Sequence, residues 1–359
     1  MIINRYLMRT IHGGTFTVLL ALVGLALFFT FLGELKDLGD GNYDLLQIAK
    51  YVVLRLPGNL VEFMPIAVLL GSILSLGSIA SNSEIVVMQA SGVSMARLIA
   101  SLLQAAVILA LLSFLLAEWV VPVSETYARA VKNLARGKST ALFVKEGLWI
   151  KDESRVLHIG KLLPDGIALN IEVYKLDSQG KLVSMITVGR AIPVAQGWEL
   201  QQVEESIIGD NRLDVASYDR LIYEGNLSPQ LLEVLMIKPR QMPVVDLHAY
   251  LDFLEENKLN ARAEQLIFWK KIFSPLNVIV MCLLAFPFVL GAQRHGNAGQ
   301  RLLIGILLGL AFVVVERLVT QLAGQFGINV ILGALLPGLI FLAVAIYMLA
   351  RQQSHSSGR

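Results

Sequence analysis

Six long apolar segments constrain what this chain can fold into. They cover roughly residues 14–33, 59–80, 98–121, 272–292, 302–324 and 330–350. A helix needs about 20 apolar residues to cross a bilayer, and each segment comes close to that length. Of the 359 residues, 55% are apolar and 16% are charged, whereas soluble domains usually carry about 25% charged residues. The sequence therefore predicts a membrane α-helical protein with six transmembrane helices.

Basic residues in the short flanks of these segments predict the orientation in the membrane. In a six-span chain the following all fall on one side: Arg5, Arg9, Arg97, Arg294, Arg301, Arg351 and Arg359. The short connection 325–329, on the other side, has no charged residue. Because Lys and Arg favour the cytoplasmic side, we expect both termini in the cytoplasm and the segment 122–271 on the far side.

The segment between the third and fourth apolar runs has the pattern of β-strands. Residues 171–176 alternate between apolar and polar, and a turn signal follows at 177–180. Similar short stretches recur from about 140 to 238. Alternation with a period of two and turns about every 8–12 residues predicts a β-sandwich or an open barrel. A helix is predicted to follow at 246–257, with Asp246 as its N-cap.

The chain is thus predicted to have three parts. Residues 1–137 hold spans one to three, residues 138–240 form the β domain, and residues 241–359 hold spans four to six. The adjacent charges Glu316 and Arg317 lie within the fifth span, where an ionised side chain is costly, and are expected to make contacts between helices.

Small residues four positions apart predict where the spans pack closely. Gly71 and Ser75 form one such pair, and Gly305 and Gly309 form another. Side chains this small allow two helix backbones to approach each other.

The sequence carries no motif typical of a hydrolase or a metal enzyme. The run Arg136–Thr140 resembles the end of a phosphate-binding loop, but Lys132 stands where the first glycine of that motif belongs. The five histidines lack metal-ligand spacing, and the single cysteine, Cys282, excludes an intrachain disulfide. A net charge of +2 argues against nucleic acid as the main partner. We expect a non-catalytic chain that draws energy from another subunit or from an ion gradient.

The loop 81–97 has the features of a short docking helix on the cytoplasmic side. Ser83 can cap the helix, Glu84 lies near its positive end, and Gly92 can end it. Its apolar residues are Ile85, Val86 and Met88. An apolar face of this kind needs a protein or the headgroup region of the membrane to cover it, so the alternative is an interfacial helix without a partner.

At this loop the sequence resembles the LptF/LptG family of lipopolysaccharide-exporter permeases. The first matching block is Ser83–Gly92, in the loop just described. The others are Glu118–Pro122, Glu146–Asp152, Trp269–Leu276 and Gly333–Pro337. They occur in the family's order over nearly the whole chain, and the block containing Gly147, Leu148 and Trp149 is more similar to the G member than to the F member.

The resemblance implies a detailed architecture and set of partners. Family members have a periplasmic all-β jellyroll domain inserted between spans three and four. An F and a G subunit form a heterodimer on two copies of the ATPase LptB, which binds ATP and Mg. The jellyrolls continue into that of LptC and on to a periplasmic bridge. The complex extracts lipopolysaccharide from the inner membrane and passes it toward the outer membrane.

The resemblance also implies which residues act. The family's substrate-contacting basic positions fall on Lys36, Arg129 and Lys132, which would bind lipid A phosphates. In this chain Asp37 follows Lys36 where relatives can have a second lysine, and Thr30 stands where they can have a lysine. Contact with the phosphates is then expected to weaken along span one, or to move to other basic residues, namely Arg136 and Lys138. The alternative is that all of them are ordinary interfacial anchors.

Coupling to the ATPase is implied for a second group of residues in the docking helix. They are Ser83, Glu84, Ile85, Val86, Met88, Gln89 and Gly92. The interior of the jellyroll should be apolar enough to shield acyl chains. The candidates, all in predicted strands, are Leu142, Val144, Leu157, Ile159, Ile171, Val173 and Tyr174. The sequence leaves open which of them face inward, since a register shift of one residue inverts every assignment.

Two other functional classes remain open at this point. One is a mechanotransmission permease that acts on lipoproteins or cell-wall hydrolases, a class that typically has four spans. The other is a membrane assembly scaffold that needs no ATPase.

Overall fold

The computed structural model describes most of the chain. The described residues are 2–136, 148–152, 155–162, 167–177, 181–194, 197–208, 213–223, 239–256, 260–291, 298–325 and 327–356. They form two compact units. The first unit contains Met1–Lys36, Ile48–Ala128 and Arg262–Arg359, and the second contains Asp37–Gln47 and Arg129–Ala261.

Helices make up the first unit and flank the strands of the second. They are α1 Ile2–Glu34, α2 Leu45–Leu54, α3 Leu56–Ser81, α4 Glu84–Ala90, α5 Met95–Leu115, α6 Val121–Ala135, α7 Val244–Glu256, α8 Arg262–Gly291, α9 Ala298–Gln325 and α10 Val330–Ser356. Six helical stretches are long and apolar enough to cross a membrane. These are Ile2–Asp37, Leu56–Ser81, Met95–Ala135, Arg262–Val289, Gly299–Gln325 and Val330–Arg351. The predicted six spans are confirmed.

The third span continues through a proline. A π-helical turn, Leu116–Val120, joins α5 to α6, and Pro122 lies in the first turn of α6. Proline has no N–H to donate and its ring clashes with the carbonyl four residues earlier. A π-helical turn inserts one extra residue, and it lets the helix run on to Ala135. The predicted placement of Arg129 and Lys132 on one helical face depends on this continuation.

Close packing of α1 on α3 holds the centre of the first unit. A Cβ atom added to Gly71 would lie under 3.0 Å from the backbone of Gly14 and Thr15, and the hydroxyl of Ser75 donates to the carbonyl of Thr10 at 2.9 Å. The predicted close approach at Gly71 and Ser75 is confirmed.

The second small-residue pair packs on the same helix, α3. A Cβ at Gly305 would lie 2.6 Å from Leu70, and one at Gly309 would lie 3.1 Å from Ile66. Helix α3 therefore carries α1 and α9 on two of its faces.

Two charged residues of α9, Glu316 and Arg301, contact other helices. Nζ of Lys270 in α8 lies 2.7 Å from Oε1 of Glu316 in α9, and the two residues form an ion pair. This is the predicted contact between helices. Arg317 is exposed, because neighbouring residues point about 100° apart on a helix. Arg301, expected in a cytoplasmic loop, is instead 8% exposed in α9 and donates to the carbonyl of Gly77 in α3.

The β domain predicted between the third and fourth spans is confirmed. Its described strands are β1 Leu148–Asp152, β2 Arg155–Leu162, β3 Ala168–Leu176, β4 Leu182–Val194, β5 Gly197–Ile208 and β6 Leu213–Tyr223. They form one antiparallel sheet in the order β1-β2-β3-β4-β5-β6. Each strand therefore pairs with its neighbour in sequence.

A line of irregular residues crosses the middle of this sheet. Asn170 and Gln202 have positive φ angles of 53° and 56°. Regular pairing is interrupted there, since Ile159 pairs with Ile171 and Lys161 with Leu169, which leaves out Gly160 and Asn170. The same gap recurs across the next strands at Gly189, Gln202 and Asp219. We call these five residues (Gly160, Asn170, Gly189, Gln202 and Asp219) the crease.

The glycines of the crease face its left-handed residues. A Cβ at Gly160 would lie 3.2 Å from Cβ of Asn170, and one at Gly189 would lie 3.1 Å from Cβ of Gln202. A left-handed residue in a strand changes which face the following side chains occupy. The crease therefore inverts the inward and outward pattern of the strands it crosses.

Helix α7 begins earlier than predicted. It starts at Val244, so Asp246 lies within the first turn rather than at the N-cap. The carboxylate still lies near the positive end of the helix, where a negative charge is favourable. Leu247, Leu251 and Leu254, which share one face of the helix, are buried.

Candidate functional site: a basic helix end, an apolar cavity and a docking helix

Helix α6 presents a row of basic side chains at its C-terminal end. Arg129, Lys132 and Arg136 are three and four positions apart, so they share one face. The loop between α1 and α2 packs against this end, where the N–H of Asn42 donates to the carbonyl of Ala135 at 2.6 Å. Gly41 has a φ of +63°, and a Cβ there would lie 2.8 Å from the same carbonyl oxygen. Only glycine fits this position without strain.

The loop brings two carboxylates to the basic row. Oδ2 of Asp37 lies 3.0 Å from Nζ of Lys132 and 3.0 Å from Nη1 of Arg136. Oδ2 of Asp40 lies 2.6 Å from Nη2 of Arg136. Nζ of Lys132 is also 5.9 Å from the ring centre of Tyr43, which is fully buried. We call Asp37, Asp40, Lys132 and Arg136 the ionic cluster.

Of the predicted phosphate contacts, Lys132 and Arg136 thus lie together, and each is paired with a carboxylate. Arg129 is half-buried in the same unit, whereas Lys36 is exposed at the end of the first unit. Lys138 lies outside the described residues. Asp37, noted above as a departure from the family pattern, supplies the counter-charge. Its role was missed because sequence spacing gives no sign that residues 95 or more positions apart meet.

One face of the sheet lines an apolar cavity of about 310 Å³. Most of its lining is aliphatic or aromatic, with Lys175, Ser184 and Glu205 as polar members. The apolar lining residues are Leu157, Ile159, Ala168, Ile171, Val173, Ile186, Val188, Ala191, Trp198, Leu200 and Leu221. Four predicted interior residues, Leu157, Ile159, Ile171 and Val173, are confirmed. Leu142 and Val144 lie outside the described residues.

Tyr174 lies on the face of its strand that points away from the cavity. Val173 and Lys175 both line the cavity, so Tyr174, between them, points to the opposite face of the strand. There its hydroxyl donates to Glu172 at 2.6 Å, and His158 lies 3.3 Å from the same carboxylate. The hydrogen bond from Tyr174 holds the pKa of Glu172 below its usual value. The same bond raises the pKa of Tyr174.

The short helix predicted in the loop 81–97 is present as α4, Glu84–Ala90. Gly92 has a φ of +88° and ends it. The N–H of Gly92 donates to the carbonyl of Gln89 at 2.9 Å, and that of Val93 donates to Met88 at 3.0 Å. This pair of bonds is the Schellman motif, for which glycine is favoured.

Ser83 does not cap α4 with its side chain, contrary to the prediction. It adopts a left-handed conformation with a φ of 59° and makes no side-chain capping bond. Its carbonyl instead accepts the first helical bond, from the N–H of Val87 at 3.1 Å.

The apolar residues of α4 divide between two faces. Ile85 is 6% exposed and packs with Leu7 and Ile11 in the core, and Met88 packs against the same core. Val86 and Val87 are 63% and 62% exposed. Ile85 and Met88 therefore anchor the helix to its own bundle, while Val86 and Val87 form the uncovered apolar surface.

Helix α4 is also attached to the N-terminal end of α1. The hydroxyl of Tyr6 donates to Oε2 of Glu84 at 2.8 Å. No sequence pattern pointed to Tyr6, because it lies 78 positions from Glu84.

These features define a six-span membrane permease whose β domain has an apolar interior and whose second and third spans are joined by a short docking helix. Comparison with known proteins identifies the family. Residues 5–351 match the family model described as "Lipopolysaccharide export system permease LptF/LptG". The chain belongs to this family, as its motifs predicted.

The chain is similar both to proteins named LptG and to proteins named LptF. The chain is 31% identical to the permease protein LptG of Haemophilus influenzae, with 98% of this chain and 99% of the relative covered. It is 33% identical to LptG of Escherichia coli K12, with 98% of each covered. Identity to LptF of the same strain is 26%, over 97% of this chain and 94% of the relative. The chain is thus more similar to these LptG proteins than to this LptF protein, in agreement with the prediction.

Proposed function

We propose that this chain is a permease subunit of an ATP-driven exporter that extracts lipopolysaccharide from the bacterial inner membrane and passes it through its β domain toward the outer membrane. The observation that carries this proposal is the apolar cavity of about 310 Å³ within a domain attached to membrane spans. Family membership supports the same cargo.

The chemistry of the cavity suits acyl chains. Keeping one methylene group out of water is worth about 0.8 kcal/mol, so moving an unshielded acyl chain from the bilayer into water is opposed by a large free energy. Lining residues such as Val188 and Leu200 replace part of the apolar contact that the acyl chain loses when it leaves the bilayer. Because this interaction has no preferred direction, an acyl chain can slide along the sheet.

The charged end of the lipid needs cations. We assign phosphate contact to Lys36, Arg129, Lys132 and Arg136, since guanidinium and ammonium groups form strong charge-assisted hydrogen bonds with phosphates. At Lys132 and Arg136 a phosphate has to replace the carboxylates of the ionic cluster.

The energy comes from a partner in this proposal. An LptB-like ATPase dimer binds ATP and Mg and docks against the cytoplasmic helix α4, and this chain is itself non-catalytic. The coupling residues are Ser83, Glu84, Ile85, Val86, Met88, Gln89 and Gly92. The exposed pair of Val86 and Val87 gives the ATPase an apolar surface to cover.

Two spans have the exposure expected of a surface that another subunit or lipid covers. In the most apolar 18-residue stretch of Ile2–Asp37 only 11% of the residues are buried, and in that of Gly299–Gln325 only 17% are buried. The corresponding share for Leu56–Ser81 is 67%. We infer that an LptF-like permease packs on these faces to form a heterodimer. An LptC-like jellyroll protein then continues the path. This arrangement places both termini in the cytoplasm and the β domain in the periplasm.

Two adjacent residues of β4 provide the test of the lipid path. Ile186 lines the cavity, whereas Thr187 is exposed on the other face. Ile186→Glu introduces a charge into the path, and Thr187→Glu introduces the same charge outside it. We expect photo-crosslinking of lipopolysaccharide to the β domain to fall strongly only in Ile186→Glu. Equal crosslinking in the two variants would contradict the path.

The alternatives predict different observations. Six helices able to cross a membrane favour the exporter over a mechanotransmission permease, a class that typically has four spans. An assembly scaffold would not need an ATPase. Co-purification of an ATPase subunit with the wild-type chain, and its loss on changing Val86 and Val87 to Asp, would count against the scaffold.

A further inference from the structure

The ionic cluster has an unusual property for a phosphate site, because its cations are already neutralised from within the chain. Lys132 and Arg136 contribute two positive charges, and Asp37 and Asp40 contribute two negative charges at 2.6–3.0 Å. The side chains of Asp37, Lys132 and Arg136 are only 16–21% exposed, whereas Asp40 is 55% exposed. The cluster is therefore partly shielded from water on one side and open at Asp40.

Backbone bonds hold the carboxylates in place independently of the cations. The N–H of Asp40 donates to the carbonyl of Asp37 at 3.3 Å, and that of Tyr43 donates to Asp40 at 3.2 Å. The bond from Asn42 to Ala135 and the close approach at Gly41 fix the same loop on α6. Because the loop is anchored, the carboxylates act at a high effective concentration.

We propose that Asp37, assisted by Asp40, is a specificity-determining residue that makes lipid binding at Lys132 and Arg136 depend on the number of phosphates in the headgroup. This inference rests on the proposed function, in which these two cations bind lipid phosphates. The carboxylates are internal competitors that a ligand has to displace.

The charge of the ligand decides whether displacement is favourable. A phospholipid with one phosphodiester carries a single negative charge, so it exchanges one ion pair for another and loses to the tethered carboxylates. A phosphate monoester carries about −1.5 to −2 charges near pH 7 and three acceptor oxygens. A glycolipid with two such groups can replace both carboxylates with a net gain in charge-assisted bonds. The cluster thus rejects the common anionic phospholipids around it and accepts a lipid with two phosphate monoesters.

The test measures a ratio of affinities. The full-length chain, purified with its partner subunits in nanodiscs, is titrated with lipid A that carries two phosphates, with otherwise identical lipid A that carries one, and with phosphatidylglycerol. The variants are Asp37→Asn and the double variant Asp37→Asn/Asp40→Asn. Asp37→Glu conserves the charge, and Asp214→Asn makes the same change at an exposed residue of β6.

We expect the Asn variants to bind the one-phosphate lipid and phosphatidylglycerol more tightly, lowering the preference for two phosphates about tenfold, a factor typical of a hydrogen bond to a charged group. Asp37→Glu and Asp214→Asn should keep the wild-type ratio. A wild-type ratio in the double Asn variant, or an equal change in Asp214→Asn, would overturn the inference. If Asp37→Asn fails to fold, the more exposed Asp40→Asn carries the same test.

A further variant separates this inference from the proposed function. Lys132→Gln/Arg136→Gln should weaken binding of the two-phosphate lipid. If it binds all three lipids like wild type, the assignment of these cations to phosphate binding is wrong and the inference falls with it. If it weakens binding while the Asn variants leave the ratio unchanged, only the role of Asp37 is wrong.

Discussion

The hydroxyl of Tyr6 donates a 2.8 Å hydrogen bond to the carboxylate of Glu84 and so ties the start of the first span to the first residue of α4. Ile85, the next residue, packs against Leu7 and Ile11 of the same span. A force applied to α4 therefore reaches α1 through a polar contact and an apolar one. This arrangement suits a helix proposed to relay the motion of an ATPase.

Tyr6→Phe tests this relay, because it removes the hydrogen bond and keeps the ring. We expect the amount of lipopolysaccharide moved per ATP hydrolysed to fall about two- to tenfold, the range that corresponds to a net hydrogen bond of about 0.5–1.5 kcal/mol at an exposed position. Association with the ATPase should persist, since the exposed valines are unchanged. The measurement is transport and ATPase rate in the same proteoliposomes. Tyr347→Phe, at a residue 66% exposed on α10, is the control, and equal coupling in the two variants would contradict the relay.

Gly71→Ala should separate α1 from α3. The added methyl group would meet the backbone of Gly14 and Thr15, which cannot move without shifting a helix. Overpacking of this kind usually costs about 1–3 kcal/mol, so the melting temperature of the purified chain in detergent should fall. Gly13→Ala adds the same methyl group where no atom lies within 4 Å, and it should leave stability unchanged or improve it. Similar destabilisation in both would indicate that helix packing is not the cause.

Glu316→Gln should destabilise the pair of spans α8 and α9. It leaves Lys270 without its counter-ion at 2.7 Å, and an unsatisfied group of this kind costs about 1–3 kcal/mol. The double variant Lys270→Gln/Glu316→Gln should recover part of the loss, because neither charge remains. Thermal unfolding of the single and double variants measures the coupling between the two residues. Simple additivity of the two single changes would argue against a direct interaction.

The contact between Glu172 and Tyr174 predicts a pH-dependent stability of the β domain. A pKa of Glu172 that is lower in the folded state than its usual value of 4.5 means that the folded domain favours the ionised carboxylate. This contribution is present above pH 4.5 and is lost as the pH falls through the folded pKa. Tyr174→Phe should therefore destabilise the domain near pH 7, with a difference from wild type that shrinks in acid.

Hydrogen exchange of β2 and β3 measures this effect within the full-length chain. Tyr218→Phe, at an exposed residue of β6, serves as the control for removal of a tyrosine hydroxyl. A difference between Tyr174→Phe and wild type that stays constant from pH 7 to acid would contradict the assigned pKa shift.

The large features of the fold could be predicted because they depend on local patterns. Apolar length marks each span, and alternation with period two marks the strands, whatever the rest of the chain does. The same reasoning failed at the ends of elements. Helix α1 begins at Ile2 rather than near residue 14, because a helix can continue beyond its apolar window into a polar flank containing Arg5 and Arg9.

The candidate site was predicted less completely, because its contacts join distant parts of the chain. The family resemblance pointed to Lys132 and the sequence showed Asp37 as a departure, yet their pairing depends on how the loop 37–44 docks on α6. Hydrophobic alternation likewise identified the strand that holds Ile171, Val173 and Tyr174. It left open which side chains face inward, because a register slip of one residue exchanges the two faces of a strand, and the structure puts Ile171 and Val173 on the cavity side.

The crease of the β sheet constrains how this domain can change in evolution. A Cβ atom at Gly160 would lie 3.1 Å from the carbonyl oxygen of the left-handed Asn170, and one at Gly189 would lie 3.1 Å from Cβ of the left-handed Gln202. Replacing either glycine alone would therefore crowd the neighbouring strand, which has to shift by a few tenths of an ångström to make room. Restoring an ordinary φ at Asn170 or Gln202 alone would move the side chains on one side of that residue to the opposite face of the sheet. Lining residues such as Ala168 or Leu200 would then be exposed. We therefore expect these positions, although they lie on separate strands, to be conserved together or substituted together in descendants of this chain.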